Sequence, residues 1–149
     1  MPKLLLFAPC ERVIVEQGAN TISLISVIQE LTVAMPSDVP ATAAAPQRWY
    51  VIAMWQRDEK ETAQRFEQRL VVENPKGEHL LELLTPFELS KETHRNIGAI
   101  DGFPISVAGR YTLRLSVRQA GRSDTKWEEI ADYPVKLIHT TVASARTLA

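Results

Sequence analysis

Gly109-Arg110-Tyr111-Thr112-Leu113-Arg114-Leu115-Ser116-Val117-Arg118 alternates from end to end. Tyr111, Leu113, Leu115 and Val117 fall on one side, and Arg110, Thr112, Arg114, Ser116 and Arg118 on the other. Successive side chains of a strand point to opposite faces, so this spacing predicts a half-buried strand, aliphatic inside and basic outside. A tyrosine opening a late strand just after a glycine turn also resembles the tyrosine corner of Greek-key sandwiches, whose hydroxyl bonds back to nearby backbone.

The same period of two runs outward along the chain. Residues 4–8 read as a first strand ending at Pro9, and residues 12–16 as a second, closed by the turn Gln17-Gly18-Ala19-Asn20. Residues 21–33 are rich in β-branched side chains and are expected to form one strand, with a bulge as a possible interruption. Pro36, Pro40 and Pro46 remove backbone donors from 34–47, which is read as the longest loop.

Residues 49–56 are apolar on both sides, with Trp49, Val51, Ala53 and Trp55 against Tyr50, Ile52 and Met54, so both faces of that strand require cover. Further strands are expected over 64–73, 79–84, 93–100 and 127–138, with turns at Asn74-Pro75-Lys76-Gly77 and Asp101-Gly102 and a hairpin loop at 120–124. Eight to nine short strands at regular spacing, with no repeat, predict an all-β, antiparallel, immunoglobulin-like Greek-key sandwich, a single domain over 1–149 with a frayed tail at 141–149.

Composition narrows the function classes. With 17 basic and 18 acidic residues, the chain has no field to attract nucleic acid or an anionic membrane. One cysteine, Cys10, excludes an intramolecular disulfide and fits a reducing compartment. The five-residue apolar run before Pro9 is too short for a signal core, and no stretch is long enough to span a membrane as a helix, so the cytoplasm is the expected location.

Lys3-Leu4-Leu5-Leu6-Phe7-Ala8-Pro9-Cys10-Glu11, Ser23-Leu24-Ile25-Ser26, His94-Arg95-Asn96, Gly102-Phe103-Pro104-Ile105 and Gly109-Arg110-Tyr111 together carry a resemblance. Over most of its length the chain is similar to an uncharacterised bacterial family of the domain-of-unknown-function type. That resemblance implies a bacterial, single-domain β-sandwich and brings no active site with it.

No catalytic, cofactor-binding or metal-binding signature stands out. His79, His94, His139 and Cys10 lack the close pair spacings of zinc sites, and the acids Asp38, Asp58, Glu59, Asp101, Asp124 and Asp132 are too scattered for a calcium loop. Gly-x-Ser-x-Gly, Gly-x-Gly-x-x-Gly and the Walker A pattern are absent. Cys10 reads as a small buried hydrophobe, and Arg110, Arg114 and Arg118, with Arg122 and Lys126 nearby, as a solvated face paired with acids such as Glu128 and Asp132.

Two readings follow. The first is a non-enzymatic binding or scaffolding domain that contacts another protein or a second copy of itself. Its contact residues would be Tyr50, Ile52 and Met54, or the opposite set Trp49, Val51 and Trp55, unless the 34–47 loop covers that face. The alternative is a small-ligand receptor or enzyme with a pocket at His94, Arg95, Asn96 and Asp101, the densest polar cluster beside turn residues.

Overall fold

The computed structural model describes residues 1–36, 40–62, 64–121 and 125–141, and the regular elements among them are strands. In chain order they are β1 (Lys3–Glu16), β2 (Thr21–Val27), β3 (Glu30–Met35), β4 (Ala44–Gln56), β5 (Arg65–Glu73), β6 (His79–Glu88), β7 (Thr93–Pro104), β8 (Gly109–Gln119) and β9 (Glu128–Thr141). One sheet has the order β2-β1-β4-β7 and the other β3-β9-β8-β5-β6. All the pairings are antiparallel except β3 with β9, which is parallel.

The alternation of β8 turns Tyr111, Leu113, Leu115 and Val117 into the core, between β5 and β9. Facing it, β4 sends Trp49, Val51, Ala53 and Trp55 inward, all buried, which fixes the core face of the doubly apolar strand. From β4 the chain crosses to β5, turns into β6 and returns as β7 beside β4, the Greek-key path of a sandwich. The two layers enclose two clusters. One holds Trp49, Leu70, Phe103, Tyr111 and Leu113, and the other Trp55, Phe66, Phe87, Leu115 and Val117.

The corner expected at Tyr111 is present. Its hydroxyl donates to the Val107 carbonyl at 2.7 Å and accepts from the Val107 N–H at 3.4 Å. Gly109, which opens β8, has φ of 132° and lies against Pro75, where a Cβ would come within 3.0 Å of Cγ. The left-handed side of the map and the close ring both favour glycine there.

Several boundaries differ from the sequence expectation, each for a backbone reason. Residues 4–8 and 12–16 belong to one strand, β1, which runs through Pro9. The Pro9 carbonyl accepts from Ile28 N–H at 2.9 Å, on the side away from β4, so its missing donor also points away from β4 and breaks no bond to it. Residues 21–33 are two strands in different sheets rather than one, with the crossover at Ile28 and Gln29. Both ends of the 34–47 loop, 34–35 and 44–47, are taken up by β3 and β4. Pro46 lies inside β4, in the irregularity between Ala45 and Arg48, beyond the part of β4 that pairs with β1. Asp101 and Gly102 continue β7 instead of ending it, Gly102 bending it at φ of 84°. The expectations at Asp38, Arg122, Asp124, part of the 120–124 loop and 142–149 lie outside the described residues; Thr141 is the last residue of β9.

No helix among the described residues is long and apolar enough to cross a membrane.

Candidate functional site

The four residues of the polar cluster are distributed over both faces of β7. His94 and Asn96 alternate into the sandwich, where His94 Nε2 lies 2.9 Å from Asn96 Oδ1. Asn96 Nδ2 donates to Gln68 Oε1 at 2.8 Å, and Trp55 Nε1 donates to the same oxygen at 2.9 Å. Because the Asn96 amide nitrogen faces Gln68, its oxygen is the acceptor, and His94 Nε2 carries the proton in either charge state of the ring. Phe87 stacks on His94 with centroids 5.4 Å apart. This is a hydrogen-bonded layer that runs from the partly buried His94 to Asn96 and Gln68 in the core. Gln68 is its centre, buried between Phe66 and Leu70 along β5. The sequence signal for Gln68 was its position on the apolar side of that strand's alternation.

Arg95 and Asp101 face elsewhere. Asp101 pairs with Arg48 at 3.1 Å in a solvent-exposed position, and Arg95 Nη2 donates to Asn20 Oδ1 at 3.3 Å. A depression of about 1080 Å³ lined by Met1, Lys3, Gln56, Arg57 and Glu92, among others, includes none of the four cluster residues.

The Arg95–Asn20 bond discloses the most consequential geometry in the molecule. Asn20 is in the turn between β1 and β2, while β1 and β4 separate β2 from β7 in the sheet. Arg95 is level with Met54, and Met54 with Leu6. From Leu6 to Glu16 a straight β1 would travel on the order of 30 Å beyond that level, at ~3.3 Å per residue, far outside an arginine's reach. The hairpin therefore doubles back over the outer face of its own sheet.

Two observations agree with this. Beyond Cys10, β1 pairs with β2 and no longer with β4. Near the bend Ser26 adopts φ of 57°, the left-handed region that a non-glycine residue enters only when the surroundings require it.

The folded-back hairpin accounts for the outward side of β4. Ile52 has 0% exposure although it points away from the sandwich core, and its neighbours Ala8 and Cys10 are also buried. Tyr50 and Met54, beside it, are half-buried. The Asn20–Arg95 bond places the hairpin, residues 11–26, over this side. On the hairpin, Val13, Ile22 and Leu24 form the less exposed side, turned toward the body, and Arg12 with Ile25 and Ile14 with Ser23 form the side turned to solvent. Ile14 is 52% exposed and Ile25 38%. Val27 at the hairpin's base and Val15 near its tip are also open.

The basic stripe of β8 is engaged by acids. Arg114 Nε lies 3.0 Å from Glu73, whose other oxygen meets His79 Nε2 at 2.8 Å, and Arg118 pairs with Glu67 at 3.3 Å. Arg118 and Arg69 also lie over the Trp127 ring, at 4.2 and 4.7 Å from its centroid, a contact the alternation of β8 alone did not suggest. Arg110 is opposite Lys136. Among the described residues no group of three or more His, Cys, Asp or Glu side chains could hold a metal ion. Cys10 is buried, and burial pushes its thiol pKa up, while its hydrogen bond to the Arg12 carbonyl at 3.3 Å opposes that shift.

No protein-family model matches this chain, and no curated protein sequence matches it.

Proposed function

We propose that the protein is a non-enzymatic binding or scaffolding domain that acts through protein–protein contacts, and that the contact surface is the solvent side of the folded-back hairpin. The observation that carries this reading is the open aliphatic pair Ile14 and Ile25 on the solvent side of the ribbon, with exposed Val27 at its base. A hairpin already committed to covering Ile52 has no structural need for aliphatic residues on its other side, and exposed apolar surface of this kind, here bordered by Arg12, marks interaction sites. Leu80 and Leu84 on β6 are also exposed, but Glu82 stands between them and Arg69 pairs opposite Leu84, so charge interrupts that patch. Tyr50, Ile52 and Met54, expected as contact residues from the sequence, support the reading indirectly: they are the floor on which the hairpin rests.

The alternative reading, a ligand pocket around His94, has less support, because His94 Nε2, the Asn96 amide and Gln68 Oε1 are already paired with one another.

The test is comparative purification from cells that express the protein naturally, using tagged wild type and the double variant Ile14→Asp/Ile25→Asp. A partner, or untagged copies of the chain itself, should be retained by wild type and lost by the variant while the thermal transition stays in place. Equal recovery from both would overturn the assignment of the contact to the hairpin.

A further inference from the structure

Beyond the contact reading and independent of it, we propose that the outer face of the five-stranded sheet carries a binding site for a small monocarboxylate, with Arg69 and Arg114 as its donors. This face lies on the opposite side of the sandwich from the hairpin.

The starting observation is a pair of orphaned donors. Arg69 Nε and Arg114 Nε are buried and have no hydrogen-bond partner. Buried guanidinium N–H groups are ordinarily paired, because an unmade bond forfeits hydration without replacing it. Arg114 Nε comes within 3.0 Å of Glu73 Oε2, but its N–H is not aligned on that oxygen, so the contact is an ion pair without a hydrogen bond.

Both nitrogens belong to one recess of about 170 Å³. Strand register puts them together: Arg69 is opposite Ser116 and Arg114 is opposite Val71, all four on the outward side of β5 and β8. Ser116 and Val71 are buried although they face away from the core, so the recess has a floor of its own.

The surrounding charges identify the class of occupant. Glu67 pairs with Arg118, and the two oxygens of Glu73 meet His79 and Arg114. Arg69, half-buried on the same face, pairs with no carboxylate among the described residues. Trp127 is what holds it, with the guanidinium carbon 4.7 Å from the ring centroid. A ring face attracts the cation and leaves Nε–H without an acceptor, so the side chain is oriented before any ligand arrives. Water would accept from Nε but leave the charge unmatched. An anion meets both needs.

One unmatched positive charge calls for one negative charge. Glu73 and Glu129 line the same recess and disfavour a dianion such as sulfate. A carboxylate is a monoanion whose two coplanar oxygens fit the side of a guanidinium, and its remaining lone pairs can accept from a second donor such as Arg114 Nε. The size of the recess restricts it to a short acid.

The Nε–H signals of Arg69 and Arg114 in the isotope-labelled full chain report occupancy directly. Titration with sodium acetate, read by nuclear magnetic resonance against sodium chloride at matched ionic strength, should move both signals along a saturable curve with half-saturation at millimolar acetate. Sulfate should bind more weakly. Arg69→Lys keeps the charge and removes the fork, so half-saturation, read at Arg114, should rise by at least about tenfold. Glu129 is 76% exposed and reaches only to 4.0 Å from Arg114 Nη1. Glu129→Gln therefore leaves folding intact and should bind acetate more tightly than wild type.

A linear drift shared with chloride would mean that solvent alone fills the recess, and the inference would be overturned. Sulfate binding as tightly as acetate would remove the carboxylate assignment. Wild-type affinity in Arg69→Lys, or weaker affinity in Glu129→Gln, would place the anion away from this recess.

Discussion

Gln68 occupies a position that alternation alone would give to an aliphatic residue, and the reason lies in its two donors. Its Oε1 accepts from both Trp55 and Asn96 inside the sandwich, so the layer between Phe66 and Leu70 is polar but satisfied. Replacement by leucine would keep the volume and strand both donors in a dry core. Gln68→Leu should therefore destabilise the protein by about 2–4 kcal/mol in urea titration, although it makes the core more apolar. A change below about 0.5 kcal/mol would mean that the bonds contribute little net stability. The ion pairs of the basic stripe differ in kind. They sit at the surface, where such a pair is worth roughly 0–1 kcal/mol, and they serve to neutralise the outer face of β8.

At the scale of the element, the hairpin over the outer face depends on its bend. Ser26 at φ of 57° has a backbone that proline, locked near −65°, is unable to copy. Ser26→Pro should release the hairpin from the sheet while leaving the sandwich folded. Cys10 reports the event. Buried and with its thiol pKa raised, it should react slowly with a thiol reagent at neutral pH in wild type, and quickly in Ser26→Pro, with the emission of Trp49 and Trp55 unchanged. Fast labelling in both proteins, or slow labelling in both, would refute the hinge role of Ser26. The fold-back also explains why β1 is long: its first half belongs to the sandwich and its second half to the hairpin, with Pro9 and Cys10 between them.

At the scale of the whole molecule, two tyrosine phenols and the Cys10 thiol contribute to how stability changes above neutral pH. Burial raises the pKa of Tyr111, its bond to the Val107 backbone opposing, and burial likewise raises that of Tyr133. The unfolded chain releases these protons near pH 10, while the folded state still holds them, so the folded state binds more protons there and stability falls as pH rises. Cys10, raised in the same way, begins to contribute once the unfolded thiol ionises, so thermal midpoints should be steady through neutral pH, begin to decline above about pH 8.5 and fall more steeply beyond about pH 10. Tyr111→Phe should lower stability at pH 7 by about 1–2 kcal/mol, through loss of the corner bond, and make the alkaline decline shallower. An unchanged alkaline slope in that variant would exclude Tyr111 as a source.

Much of the architecture was legible in the sequence because period-two alternation is a local property: the all-β class, the inward residues of β8 and the corner at Tyr111 follow from neighbours along the chain. Three matters were settled only by tertiary structure, since each depends on residues far apart in sequence. The core side of β4 was ambiguous because both of its faces are apolar, and both faces are covered. The break between β2 and β3, at Ile28 and Gln29, was hidden in a continuous β-branched run that no glycine or proline interrupts. The dispersal of His94, Arg95, Asn96 and Asp101 follows from the same alternation, but the partners that distinguish a layer running into the core from a surface contact, Gln68 on β5 and Asn20 in the hairpin turn, come from distant strands that only the folded chain brings within hydrogen-bonding distance.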